Sequence, residues 1–340
     1  MPDPYQQVID RLSPCKKVLI TTHVRPDGDA LGSCAAMHLG LRKVKIDSDI
    51  LLLSHLPRKY SFVFNDHGVP HIDAEQGIPP KFNLDHYDAF LVVDTGTWSQ
   101  LPGLSERVLA WPKPKLVIDH HLTQEDWADV KLVDTSAAAA GEIVAEVLER
   151  WNVPFDLALA NALYVAIVSD TGWFQFSNTR PQTLRLGAKL MELGVDTDRI
   201  YQMLYQNERA ERVALQTRAQ DSLELLADGR LAVMTIRKED FHQTRASVPD
   251  TENLINIPLQ IATVEVAILV TEPLDNGPVR ISLRSKGQVD VARFAEQFGG
   301  GGHARASGLK LSASLTDARD QVVAAMVEQM HTSRAGGNKR

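Results

Sequence analysis

Seven side chains in four short blocks have the types and spacing that could do chemistry: His23, Asp27, Asp29, Asp94, His120, His121 and Asp170. The blocks read Thr22-His23-Val24-Arg25-Pro26-Asp27-Gly28-Asp29, Val93-Asp94-Thr95-Gly96, Ile118-Asp119-His120-His121 and Ser169-Asp170-Thr171-Gly172. Carboxylate oxygens mixed with imidazole nitrogens suit Mn2+ or a similar first-row divalent ion. One octahedral ion that also holds water needs fewer ligands than these. They are enough for two ions that share a carboxylate, and that arrangement serves in-line attack on phosphorus.

Each block has a competing structural use. Asp27 and Asp29 could be turn and N-cap residues for a helix starting near Ala30. Pro26 and Gly28 shape a tight turn from which the two aspartates can splay toward different ions, and His23 just before them favours the metal reading. Asp94 could be a simple cap, but its place behind a buried strand makes it a candidate bridge between two ions. Adjacent side chains on extended backbone point to opposite sides, so His120 and His121 are expected to serve different ends. One can be a ligand and the other can face substrate, while Asp119 could orient a ligand imidazole. Asp170 follows the apolar stretch 163–168 and so sits at a helix end. A carboxylate is unfavourable there against the macrodipole unless a cation is near.

These residues need elements to hold them. The run 18–22 reads as a strand leading through a polar loop into a helix over 30–43. Segments 50–54, 89–93 and 116–118 read as further strands, short and continuously apolar as buried parallel strands are. Thr135 or Ser136 is the expected cap of a helix over 137–151, and a second helix is expected over 156–169. Thr179 and Pro181 start a third helix, which Gly194 ends. Strands alternating with helices predict an open α/β sheet with helices on both faces, its ligands outside the carboxyl ends of the strands.

A composition shift follows Gly194. The expected division is a catalytic domain over 1–194, a helical linker over 195–226, a smaller α/β domain over 227–331 and a disordered tail over 332–340. Strands are expected at 230–236, 264–270 and 279–284, and a helix at 289–298. The run Gly299-Gly300-Gly301-Gly302-His303 comes next, followed by Arg305. Glycines there would allow close backbone approach by a ligand. His303 and Arg305, with Arg284 on a strand, favour an anion-binding surface, since the guanidinium fork matches phosphate oxygens.

Net charge is −7, with 44% hydrophobic and 23% charged residues, which is globular composition without the broad basic surface that coats long nucleic acids. Short or single-nucleotide substrates remain compatible. Two cysteines, Cys15 and Cys34, build no disulfide framework and suit a reducing compartment. No apolar run reaches the roughly 18 residues of a membrane span. The expectation is a cytoplasmic protein without membrane contact.

The blocks resemble the DHH phosphoesterase superfamily, whose Asp-His-His motif stands here at 119–121. The C-terminal stretch resembles the DHHA1 domain, whose Gly-Gly-Gly-His loop stands at 300–303. The resemblance covers roughly residues 10–330, with the motifs in the family's order. Within the superfamily the chain resembles the bifunctional oligoribonuclease and PAP phosphatase group of nano-RNase A type. That group is matched by Asp170-Thr171-Gly172 continuing to Phe174, Phe176, Asn178 and Thr179. The resemblance implies two Mn2+ ions, or similar ions such as Mg2+ or Co2+. His23, Asp27 and Asp94 would hold one. Asp29, Asp94, His120 and Asp170 would hold the other, with Asp94 bridging. Asp94 and His121 would be catalytic, with His121 facing the scissile phosphate, and Arg284, Gly301, Gly302, His303 and Arg305 would bind substrate.

The implied activity is hydrolysis of short oligoribonucleotides and of adenosine 3′,5′-bisphosphate, with substrate enclosed between two domains and a homodimer among the family's habits. The close alternative is a cyclic or linear dinucleotide phosphodiesterase acting on cyclic di-AMP or pApA. A silent nucleotide-binding regulator is disfavoured because all ligand positions are filled. Gln124 stands where many relatives of that group have an asparagine soon after the Asp-His-His motif, which bears on a local hydrogen bond and not on the metals.

Overall fold

Alternation along the first strands decides the architecture. Val18, Ile20, Ile50, Leu52, Ala89, Leu91, Val93, Leu116 and Ile118 enter one hydrophobic cluster, while Leu19, Leu51, Phe90, Val92 and Val117 enter another. A strand apolar on both faces must be covered on both, which is the condition of a parallel sheet between helical layers. The structure, a computed structural model, describes residues 3–75, 77–79, 82–275, 277–287 and 289–337, and the side chains of these except 303 and 331–337. The chain forms two compact units, Met1–Asn207 and Glu208–Arg340.

In the first unit the elements run α1 (Pro4–Leu12), β1 (Lys17–Thr21), α2 (Gly28–Lys43), β2 (Asp47–Leu52), α3 (Ser61–Asn65), β3 (His71–Asp73), β4 (Ala89–Val93), α4 (Ser105–Ala110), β5 (Lys115–Asp119), β6 (Val130–Val133), α5 (Ala140–Arg150), α6 (Leu157–Asp170), α7 (Pro181–Glu192) and α8 (Thr197–Tyr205). The six strands form one parallel sheet in the order β3-β2-β1-β4-β5-β6. Helices α1, α2, α5 and α6 supply the larger cluster on one face. Val108 of α4, with Leu101, Leu104 and Trp111 around it, covers the other. Edge strands β3 and β6 have three and four residues, too short to show a period in sequence.

The helix expected from 137 starts at Ala140, and neither Thr135 nor Ser136 caps it. Its free N–H groups are taken by Asp29 of α2, which accepts from Ala140 N at 2.5 Å and Gly141 N at 2.9 Å. A cap from another element leaves no mark in local sequence.

The second unit holds α9 (Ala210–Asp221), β7 (Glu224–Leu226), β8 (Leu231–Ile236), α10 (Lys238–Thr244), β9 (Val266–Thr271), β10 (Val279–Ser285), α11 (Val291–Glu296), β11 (Gly301–His303), β12 (Ala306–Leu311) and α12 (Leu315–Gly337). Its mixed sheet runs β11-β12-β10-β9-β8-β7, with β8 and β9 parallel and the other pairs antiparallel. One face packs on α11 and α12, the other on α9 and α10. The stretch 195–226, expected as a linker, divides between the units. Ile200 and Leu204 of α8 are buried in the first core, and Leu215 and Ala219 of α9 in the second. The tail expected to be disordered from 332 is helical to Gly337, because nothing before the paired glycines 336–337 breaks the helix; residues 338–340 lie outside the described ones.

Candidate metal centre

Strands β1 and β4 are neighbours although two strands separate them in sequence, so the winding of the sheet reverses between them. Ligands of open α/β sheets bind at such a reversal, beyond the carboxyl ends of the strands. The register sets Thr21 beside Val92 and Val93 beside Ile118. The chain therefore leaves β1, β4 and β5 side by side, delivering His23, Asp94 and the Asp119-His120-His121 run to one place.

The remaining donors arrive on helices. A Cβ on Gly32 would lie 2.4 Å from Ala162 O and 2.8 Å from Ala166 N, and one on Gly28 would lie 1.9 Å from Ser169 Oγ. These two glycines let α2 lie against α6 backbone to backbone. The first turn of α2, with Asp29, thus meets the last turn of α6, which ends at Asp170.

His23 Nε2 lies 3.5 Å from Asp94 Oδ2 and 4.0 Å from Asp27 Oδ1. His120 Nε2 lies 3.4 Å from Asp94 Oδ1, 3.7 Å from Asp29 Oδ2 and 3.2 Å from Asp170 Oδ2. The structure thus gathers His23, Asp27 and Asp94 in one cluster, Asp29, His120 and Asp170 in a second, and Asp94, His120 and His121 in a third, each with donor atoms within 4.8 Å of one another. Asp94 turns one oxygen to each histidine. Its backbone has φ 63°, a left-handed conformation in which aspartate is among the tolerated residues.

The donor set fits divalent ions on its own terms. Ligands at about 2.1 Å from one octahedral ion sit about 3 Å apart, near the spacings found. Asp94 Oδ1 and His120 Nε2 are buried and make no hydrogen bond among the described residues, the condition of atoms aimed at something else. The far nitrogens are fixed: His23 Nδ1 pairs with Val24 O at 3.1 Å and His120 Nδ1 with Ala137 O at 3.2 Å. A carbonyl can only accept, so Nδ1 carries the proton and Nε2 is left as the free donor. Burial works against a charged His23, yet the Asp94 and Asp27 carboxylates raise it to about 9. His120 is raised in the same way, burial being outweighed by Asp170, Asp94 and Asp29. The Asp29 carboxyl is pushed well up by burial and by Asp94 and Asp170. Four crowded carboxylates that hold protons on their histidines are a site short of positive charge.

Asp119 orients the imidazole of His121 and not that of His120. Its Oδ1 accepts from His121 Nδ1 at 2.8 Å and from the His120 and His121 backbone N–H groups, so it serves the half-exposed His121. His120 is held instead by a carbonyl 17 residues on, which sequence does not reveal. Gln124 makes the bond left open for it, donating from Nε2 to Asp119 Oδ2 at 2.5 Å and to His121 O at 3.1 Å. Asp27 and Asp29 both cap helices after all, Asp27 for α2 and Asp29 for α5. The capping and metal readings coincide there, because a carboxylate has more than one acceptor direction.

Sequence reasoning passed over Arg25, Ser33, Glu142 and Arg180. Arg25 is exposed on the loop between His23 and Asp27, at φ 58°, with its N–H held by Ser54 Oγ at 2.6 Å. Ser33 Oγ donates to Asp29 Oδ1 at 3.1 Å, and its signal was its place one helical turn after Asp29.

The candidates of the second unit form their own group. Arg284 on β10 is half-buried, and burial disfavours its charge; among the described residues its guanidinium meets only Leu283 O, at 3.1 Å. Arg305 is exposed. Gly301 has open space where a side chain would stand. Gly302 (φ 142°) and Gly300 are required for another reason, since a Cβ there would lie 2.6 Å from Ala306 O and 2.4 Å from Gly308 O. The glycines thus first serve the β11–β12 pairing. His303 ends β11, and its side chain lies outside those described.

Comparison with known proteins follows these two units. The family model "DHH family, N-terminal domain" matches residues 17–167, and "DHHA1 domain" matches residues 228–332. The chain is 27% identical to the bifunctional oligoribonuclease and PAP phosphatase NrnA of Thermus thermophilus, over 94% of this chain and 91% of that protein. An exopolyphosphatase-related protein of Bacteroides fragilis has the same fold with TM-score 0.83 at 23% identity, over 96% of both chains. An exonuclease RecJ bound to manganese superposes with TM-score 0.53 at 15% identity, over 96% of this chain and 93% of that one.

Proposed function

The chain carries a DHH-family domain over residues 17–167 and a DHHA1 domain over residues 228–332, and on that premise we propose that it hydrolyses phosphoester bonds in short oligoribonucleotides and in adenosine 3′,5′-bisphosphate, using two divalent ions. The observation that carries the reading is Asp94, buried, with one oxygen toward the His23 cluster and the other toward the His120 cluster. His23, Asp27 and Asp94 would hold one ion, and Asp29, Asp94, His120 and Asp170 the other. Bound there, the ions supply Lewis acidity toward a phosphoryl oxygen and make a nearby water more acidic.

The chain's own part is positioning and proton control. His121 is held through Nδ1 by Asp119. That hydrogen bond, opposed by burial, raises its basicity. Its Nε2–H can donate to a phosphoryl oxygen or protonate the departing ribose oxygen as the P–O bond breaks. Arg25 offers a guanidinium for a second phosphate. Arg284, a cation partly out of water with only a carbonyl partner, has the character of an anion clamp for nucleotides, with Gly301, Gly302, His303 and Arg305 around the same strands.

The relative from Thermus thermophilus bears both activities in its name, and manganese, named for the RecJ structure, is the first ion to try. Metal-free protein reloaded with manganese should cleave a dinucleotide and release phosphate from adenosine 3′,5′-bisphosphate, while leaving a 20-nucleotide RNA nearly untouched. Turnover confined to cyclic di-AMP or pApA would replace this reading with that of a dinucleotide phosphodiesterase. Sedimentation of the same sample tests for a homodimer.

A further inference from the structure

The segment from Asp134 to Gly141 is tied to three of the four donor residues of one proposed ion subsite, directly to His120 and Asp29 and through Asn178 to the backbone of Asp170; the fourth, Asp94, is shared with the other subsite. Ala137 O holds His120 Nδ1 at 3.2 Å. Ala140 N and Gly141 N hold Asp29. Asn178 Nδ2 bonds both Ala138 O and Asp170 O, each at 3.0 Å. No such bond among the described residues reaches His23, Asp27 or Asp94.

A mostly buried ion pair also fastens the loop. Glu142 Oε2 accepts from Ala138 N at 3.0 Å and from Arg180 Nη2 at 2.7 Å, while Arg180 Nη1 donates to Ser136 Oγ at 2.8 Å. The Glu142 side chain is 8% exposed, so its carboxylate meets Arg180 and the Ala138 N–H in place of water. Glu142 Oε1 and Arg180 Nε make no hydrogen bond among the described residues, so this pair holds the loop through the bonds to Ala138 N and Ser136 Oγ.

We infer that Arg180 and Glu142 are a positioning pair that sets the affinity of one ion and not the other: they fix the 134–141 loop, and the loop fixes Asp29, His120 and Asp170. This inference rests on the two-ion reading above. Outer hydrogen bonds of this kind alter metal affinity by roughly 10- to 100-fold.

Manganese titration calorimetry of the metal-free full-length protein tests it. Wild type should take up two ions. Arg180→Ala and Glu142→Gln should keep one at wild-type affinity and bind the other roughly 10- to 100-fold more weakly, and Arg180→Lys should recover part of the loss. Lys189→Ala, which removes the Lys189–Glu149 pair between the same two helices, should leave both ions unchanged. Should Arg180→Ala not fold, Asn178→Ala breaks the loop's hold on Asp170 by another route and should weaken the same ion. A wild type that binds fewer than two ions ends the two-ion reading and this inference with it. Two ions in wild type with both weakened alike, or neither, in the variants ends this inference alone.

Discussion

At the scale of single residues, the proposed chemistry makes different demands on Asp94 and His121. Asp94→Asn keeps the shape, and asparagine tolerates the left-handed backbone that the position requires, but the second charged oxygen is gone. Both proposed hydrolytic activities should be lost while the metal-free variant keeps its fold by circular dichroism; manganese-dependent turnover persisting in the variant would rule out the shared-ligand role. His121→Gln should still bind manganese with unchanged stoichiometry yet lose about 10²- to 10⁴-fold in kcat, and a matching loss of ion binding would make His121 a ligand instead. The same residues give the metal-free protein a distinctive pH dependence. His23 is raised from 6.5 to about 9 in the folded state. A raised folded pKa contributes stability that is fully present below pH 6.5 and is lost as pH rises through about 9. Chelator-treated protein should therefore melt at lower temperature at about pH 9.5 than at about pH 6.5. Manganese uptake at neutral pH should release protons, which calorimetry in two buffers of different ionisation enthalpy reads directly. A flat melting profile across that range would remove the argument.

At the scale of elements, the site depends on how closely two helices approach. Gly32 is the tightest point, because the atoms in its way are backbone of α6 and cannot step aside. Gly32→Val should push α6 outward, cost about 1–3 kcal/mol as overpacking does, and carry Asp170 away from His120. A lowered melting temperature with weakened manganese binding is the expected pair of readings. Undisturbed manganese affinity in a destabilised variant would separate helix packing from the site. The strands were the more legible elements. The apolar runs at 89–93 and 116–118 announced β4 and β5, since a two-sided buried strand leaves a continuous apolar run. Strand β12 was hidden inside what reads as a ligand loop, because Ala306-Ser307-Gly308 lacks the β-branched residues that mark strands.

At the scale of the whole molecule, the two units each complete their own core, and the second brings the arginine expected to grip nucleotides. Arg284→Ala should raise KM for adenosine 3′,5′-bisphosphate about tenfold or more, since a hydrogen bond to a charged group is worth about 1.5–3 kcal/mol. Hydrolysis of a small aryl phosphodiester, which has no second phosphate to clamp, should change little. Equal losses on both substrates would argue that Arg284 supports the fold of its own sheet. Among the described residues no helix is long and apolar enough to cross a membrane.

Sequence alone determined which side chains could meet a metal, and their order behind apolar runs located them at the ends of strands and of one helix. That information is local: a donor type, a turn residue, a periodicity. It could not say which oxygen of Asp94 faces which histidine, that Asp119 serves His121 and not His120, or that Asp29 caps a helix more than a hundred residues away. Those are choices among hydrogen-bond partners brought together only by the reversal of sheet order between β1 and β4 and by two glycines that let α2 lie on α6. A partner chosen through space leaves no period in the chain, so tertiary structure alone decides it.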